Sequence, residues 1–164
     1  MAPSYPPLPP DLVEFVQGGR SLIVGTCSAA LEPECVRGVG LRVWPCACKL
    51  TLLIPNEPGA QTIANLRETG RVAITLSYVP TLKTIQLKGR VLAIRAGDEA
   101  DHALARRYRE LFAPELAFAG MAPAHTSRLA IWPCCAVEID LDVVYAQTPG
   151  PTAGEKLPLA ERAS

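Results

Sequence analysis

Two arginines five positions apart, Arg37 and Arg42 in the stretch ECVRGVGLR, are the residues of this chain best suited to chemistry. A guanidinium fork grips carboxylates and phosphates through paired, charge-assisted hydrogen bonds. Gly38 and Gly40 lie between them, where a missing Cβ would let another group approach the backbone. Side chains alternate along a strand, so the two arginines should point to opposite faces unless the glycines introduce a bulge. The plainer account is an edge strand with solvated arginines and a glycine bulge, which would carry no ligand.

Other reactive groups fall into no familiar catalytic pattern. The sequence holds no nucleophile elbow, phosphate-binding glycine loop or paired-histidine metal motif. His102 is expected on the polar side of a helix, solvated, and His125 in a long loop, where it is the one isolated candidate for an acid or base. Asp140 and Asp142 share the polar face of a strand. Cys27, Cys35, Cys46, Cys48, Cys134 and Cys135 lack the two-residue spacing of common zinc sites, and read as reduced, small apolar residues with no metal between them. Trp44 and Trp132, each followed by proline, are expected at strand ends, against a barrel rim or a subunit contact.

The elements that must position these groups follow from periodicity. Residues 1–10 are proline-rich and extended. DLVEFVQGG reads as a short helix, capped by Asp11 and stopped by Gly18-Gly19. SLIVGTCSA (21–29), the stretch 34–43 and KLTLLIP, ending at Pro55, read as three strands. A helix over about 57–69 follows, with Asn56 as N-cap, Ala60, Ile63, Ala64 and Leu66 on one side, and Gly70 as C-cap. In RVAITLSY, Val72, Ile74, Leu76 and Tyr78 alternate with polar or small residues. In KTIQLKGRVLAIR (83–95), Ile85, Leu87, Gly89 and Val91 face one way, and Thr84, Gln86, Lys88 and Arg90 the other. A second helix over about 98–112 places Ala100, Leu104, Tyr108, Leu111 and Phe112 at helical spacing. Residues 113–128 read as a loop, and CCAVEIDLDVVYA as a closing strand with Val137, Ile139, Leu141, Val143 and Tyr145 inward. Short connections favour antiparallel pairing, and six or seven strands favour a closed or nearly closed barrel with flanking helices, mainly β in class. Residues 1–148 form one domain on this reading, and 149–164 a turn-rich tail.

Composition limits the function. A chain of 164 residues, 49% of them hydrophobic, can bury one core. Sixteen basic residues, twelve of them arginine, balance sixteen acidic ones, so no overall field recruits nucleic acid or an anionic membrane. No apolar run is long enough to span a bilayer, and MAPSYPPLPPD lacks a charged segment followed by an apolar one. A soluble, cytoplasmic protein is expected.

The order of elements, with Arg37-Gly38-Val39-Gly40-Leu41-Arg42, Ile54-Pro55-Asn56, NLRETGRVAI and IQLKGRV, resembles the pyridoxamine 5′-phosphate oxidase-like family of FMN-binding split barrels, over about residues 12 to 95. The closing VYAQTPGPTAGEKL is similar to the tail of an uncharacterised bacterial branch of that family. The resemblance implies a homodimer with two FMN sites between subunits and redox chemistry on a small molecule. It assigns cofactor contacts to Arg37, Val39, Leu41, Arg42, Ile54, Pro55, Asn56, Gln61, Thr62, Thr84 and Gln86, with the glycines of the second strand admitting the cofactor. The family's phosphate-gripping Ser-Arg-Lys aligns with Ala60, Gln61 and Thr62, leaving a hydroxyl and helix amides as neutral donors there. The residues that would hold pyridoxamine phosphate find no match, so oxidation of that substrate is not expected. The alternatives are a ligand-binding or structural dimer that has lost flavin affinity, and a relative that binds haem or a deazaflavin.

Overall fold

The structure, a computed structural model, describes residues 6–157. In chain order these form α1 (Pro10–Gln17), β1 (Ser21–Cys27), β2 (Pro33–Arg37), β3 (Gly40–Val43), β4 (Lys49–Pro55), α2 (Ala60–Thr69), β5 (Arg71–Tyr78), β6 (Lys83–Ala96), α3 (Glu99–Phe118), α4 (Pro123–Thr126) and β7 (Cys134–Ala146). All seven strands join one sheet in the order β2-β1-β5-β6-β7-β4-β3, and every pairing is antiparallel. The expected antiparallel barrel with flanking helices is therefore present.

The stretch expected as one strand over 34–43 is two, and its break shapes the molecule. β2 and β3 are the two edges of the sheet, yet only Gly38 and Val39 separate them. Seven strands laid flat would hold their edges about 29 Å apart. Three residues of chain reach at most about 11 Å. The sheet must therefore roll up. The Gly38 amide donates to the Leu22 carbonyl in β1 (3.0 Å), and the next amide, Val39, donates to Leu53 in β4 (2.9 Å). A Cβ on Gly38 would lie 2.7 Å from a Leu22 methyl, and one on Gly40 would lie 2.9 Å from a methyl of Leu53. These glycines make room for core leucines at the corner, and not for a cofactor as the family likeness implied.

The barrel interior is filled by the alternating residues of the strands, including Leu22, Val24, Ile74, Leu76, Ile85 and Leu87. β4 is buried along nearly its whole length. In β7, Val137, Ile139 and Leu141 point inward as expected, but Val143 and Tyr145 do not. The ladder slips between Lys88↔Val143 and Gly89↔Leu141, leaving Asp142 as an extra residue. A one-residue bulge exchanges the faces, so Val144 enters the core instead.

The helices depart from expectation at their ends. Pro9, not Asp11, is the N-cap of α1, and Gly59, not Asn56, that of α2. Gly70 caps α2 in the left-handed region as foreseen. The inward side of α2 is Thr62, Ile63, Asn65 and Leu66, while Ala60 and Ala64 are exposed. α3 runs on to Phe118 through Pro114, and α4 follows where a loop was expected. Contacts beyond the proline offset the missing backbone bond: Glu115 binds Arg20 and the Val79 amide, and Leu116 is buried. The inward stripe of α3 is Asp101, Ala105, Tyr108, Phe112, Glu115 and Leu116; Ala100 and Leu111 are exposed. The tail folds back as far as Leu157, whose amide donates to Val144, with Tyr145 bridged to Lys156.

Asp101, fully buried, ties the first turn of α3 to the barrel. It forms a reciprocal capping box with Asp98, accepts a hydrogen bond from Arg95 and lies 3.8 Å from Arg42. Burial pushes its pKa up, but the Arg95 hydrogen bond, the Asp98 amide and the charges of Arg95 and Arg42 outweigh burial and hold it below the ordinary value. Asp101→Asn is expected to cost about 1.5–3 kcal/mol at neutral pH. Because the folded pKa lies below the unfolded one, that stabilisation is fully present above the ordinary carboxylate value of about 3.9 and is lost as the pH falls through the lower folded value. Urea midpoints of the two proteins, compared in steps from pH 7 downward, should converge in acid; a widening gap would refute the assignment.

Candidate functional site

The corner that closes the barrel also places Arg37. Its side chain enters a cavity of about 410 Å³ between β2, the β4–α2 turn, α3 and the segment before β7. Val36, Val39, Pro55, Pro58, Leu129 and Ile131 make apolar walls, and among the described residues no carboxylate lines the cavity. The Arg37 guanidinium lies 5.3 Å from the centroid of the Phe112 ring, in cation–π range. Its Nη1 is buried without a hydrogen-bond partner among the described residues. A buried, unpaired N–H on a permanent cation is costly, and an anionic oxygen is the partner that relieves it. Tyr108 also lines the cavity, but its hydroxyl donates to the Arg20 carbonyl (2.8 Å), and burial raises its pKa far above the ordinary phenol value although the charge of Arg37 and its hydrogen-bonding contact with the phenol oxygen oppose this.

The structure gathers Arg37, Val39 and Pro55 around this cavity and sends the other expected contacts elsewhere. Leu41 and Arg42 border a separate cavity of about 220 Å³ lined by residues of α1 and α3, and Arg42 lies 3.8 Å from Asp101. Ile54 lies in the core, and Asn56 is exposed in the turn before α2. Gln61 donates to Asn65 (2.9 Å), while Thr62 is buried with its hydroxyl unpartnered among the described residues. The helix start is partly closed to ligands as well. The amides of Gly59, Ala60 and Ile63 already bond to the carbonyls of Pro55, Glu57 and Gly59.

Thr84 and Gln86 lie on the outer face of the sheet, hydrogen-bonded to Ser77 and Thr75. Directly paired residues share a face, so Arg37, Ile23, Thr75, Gln86 and Tyr145 form one row across five strands. The next row is Cys35, Gly25, Ala73, Lys88 and Val143. Its small members floor an open depression of about 730 Å³, whose sides carry Arg71, Glu34 and Asp142. Cys35 lines both this depression and the Arg37 cavity, so the two are neighbours across β2.

Several participants were not singled out by the sequence. Arg109 joins Arg37 in lining the smaller cavity. It is one of three arginines in RRYREL, and only the rotation of α3 decides which faces β2. Gly25 and Ala73 looked like ordinary strand residues until the register set them side by side. His102 is half-buried against Trp132, with ring centroids 4.6 Å apart, rather than solvated. Trp44 stands at the end of β3 and donates to Thr51 (2.9 Å). His125 is exposed on α4.

The sequence profile of the pyridoxamine 5′-phosphate oxidase family matches residues 8–131. No curated protein sequence matches the chain. Among solved structures, HupZ of Group A Streptococcus superposes with a TM-score of 0.57 at 14% identity, over 90% of this chain and 100% of that one. An FMN-binding protein of Syntrophomonas wolfei gives 0.51 at 13% identity, over 82% and 84% of the two chains. An F420 reductase gives 0.53 at 10% identity, over 80% and 93%. Likeness at these identities establishes the fold alone.

The cysteines separate cleanly by environment. All six are free, and among the described residues no three metal-ligating side chains converge. Burial, then the contact with Cys46, pushes the Cys48 thiol up to about 11, and burial does the same for Cys134. Burial also raises Cys46, but hydrogen bonds from Cys48 and Lys49 and the Lys49 charge bring its pKa below the ordinary value. A thiol-disulfide reagent at pH 8 should therefore modify Cys46 and the exposed Cys35 first, leaving Cys48 and Cys134 protected until the protein unfolds. A chelator should leave Tm unchanged; a large fall would reveal a metal held by these thiols.

Proposed function

The chain belongs to the pyridoxamine 5′-phosphate oxidase family, and on that premise we propose that it is a flavin-binding split barrel, with FMN as cofactor, acting as an oxidoreductase on a small molecule within a homodimer. One observation carries the reading. The Nη1 of Arg37, buried and without a hydrogen-bond partner among the described residues, sits in an apolar cavity adjoining an open depression floored by Cys35, Gly25 and Ala73. The first part suits a phosphate, and the second suits a flat ring that needs a floor of small side chains.

The residues fit such a cofactor without repeating the family's usual grip. Arg37 would hold the anionic end, with Val39 and Pro55 excluding water around it. Thr75 and Gln86 would present polar groups beside the ring, and the depression has a margin of mixed charge, with Lys88 and Arg71 alongside Glu34 and Asp142. The bound flavin would supply the electron transfer itself, so the absence of an acid–base constellation is no obstacle. Gln61 and Thr62, where the likeness implies cations, favour a second reading: a ligand-binding dimer with weak flavin affinity. The F420 reductase among the structural neighbours keeps a deazaflavin within the same reading of the site.

The visible absorption spectrum of freshly purified protein separates flavin, deazaflavin and no cofactor. Titration of FMN followed by flavin fluorescence then tests Arg37. Arg37→Ala is expected to weaken binding by about ten- to a hundredfold, and Arg37→Lys to recover only part of the loss, because lysine cannot form the fork. Equal binding by all three proteins, or none by the wild type, would overturn the cofactor assignment.

The depression opens outward from β1, β5 and β6, and a second copy laid on that face would roof it. Light scattering at micromolar concentration should give twice the chain mass of 17.5 kDa. A stable monomer would refute a site shared between subunits.

A further inference from the structure

We propose that Arg109 supplies the second positive charge of the phosphate subsite, in place of the cations that Gln61 and Thr62 do not provide. The inference rests on the flavin reading above and names a ligand-gripping residue that this reading did not contain.

Arg37 approaches the cavity from the end of β2, and Arg109 from the middle of α3. Neither takes part in an ion pair among the described residues, and the lining holds no acidic side chain to balance them. Two permanent cations facing one apolar cavity repel each other, and the low-dielectric walls strengthen both that repulsion and the pull on any anion between them. A doubly charged phosphate ester meets both demands. A carboxylate, with one charge, would leave one cation uncompensated.

Arg109 is also aimed. Its Nη1 donates to the Ser127 carbonyl (3.3 Å), which ties the guanidinium to the C-terminal end of α4. A guanidinium has five N–H donors, so this bond leaves others for a ligand. Several competing donors are engaged, Tyr108 with Arg20, Gln61 with Asn65, and the amides of Gly59, Ala60 and Ile63 with the turn, which leaves the neutral Thr62 hydroxyl at the helix start. The tight turn before α2 thus closes part of the usual anion site, while Arg109 from the middle of α3 and the segment 129–131 line another beside Arg37.

The test uses inorganic phosphate, FMN and riboflavin, which carries the same ring without the phosphate, on the wild type, Arg109→Gln, Arg37→Gln and Arg106→Gln. Arg106 is exposed on the same helix and lines none of these cavities. Phosphate should raise the Tm of the wild type and of Arg106→Gln, and that rise should vanish in Arg109→Gln. FMN affinity, read by fluorescence, should fall about ten- to a hundredfold in Arg109→Gln while riboflavin affinity stays unchanged. Phosphate stabilisation that depends on Arg109, in a protein that binds neither flavin, would uphold the anion site and refute the flavin reading. FMN bound equally by wild type and Arg109→Gln would refute the role of Arg109 and leave the flavin reading standing. Equal losses for FMN and riboflavin, an equal loss in Arg106→Gln, or no phosphate stabilisation of the wild type would each overturn the proposal.

Discussion

The passage of the chain from one edge of the sheet to the other within Gly38 and Val39 is the constraint on which the rest depends. Because β2 ends and β3 begins only three residues apart, the other five strands must arch between them. The backbone bonds of Gly38 to β1 and Val39 to β4 lock that arch. The glycines are needed because core leucines occupy the space where Cβ atoms would stand. A barrel closed in this way has a corner where two strands diverge, and the corner leaves a gap on its outer side. The cavity around Arg37 is that gap.

The same corner separates the fates of the two arginines. Arg42 lies beyond it on β3, within reach of the buried carboxylate of Asp101 and so of the first turn of α3. Its charge contributes to attaching the helix to the barrel. Arg37 lies before it on β2, against an aromatic ring and aliphatic side chains, and meets no carboxylate among the described residues. Each arginine has a charge to satisfy, and only one finds its counterpart within the fold. Arg20 shows the same distinction from the other side: Glu115 pairs with it at 2.8 Å, and the rings of Phe15 and Tyr78 flank it.

Much of the barrel was legible in the sequence because its signal is local. The alternation in RVAITLSY and KTIQLKGRV identifies strands whose inward residues are those observed, and Gly70 marks the end of α2 through a conformation few other residues adopt readily. What escaped depends on pairing. Val143 and Tyr145 have the right period but lie beyond the bulge at Asp142, which only the register with β6 reveals. Pro114 looked like a terminus because the contacts of Glu115 and Leu116 that carry the helix past it come from distant segments. The site divides along the same line. Arg37 announced itself by type and setting, whereas Arg109, Gly25 and Ala73 acquire a role only through the neighbours that folding brings to them.

The departures from the family likeness form a coherent set. A helix that began at Asn56 would have left its first amides open toward an anion. The observed turn through Gly59 closes several of them and delays the helix to Ala60, with the neutral residues Gln61 and Thr62 in its first turn. Meanwhile the middle of α3 presents Arg109 to the same cavity as Arg37, with Leu129 and Ile131 completing the apolar lining. Positive charge is thus lower at one wall of the gap and present at another. An anion drawn into this gap would be held by side chains from β2 and α3, elements that also meet through the core and the contact of Arg37 with the Phe112 ring. Its binding would therefore couple the barrel corner to the longest helix, tightening the contact that defines the cavity itself.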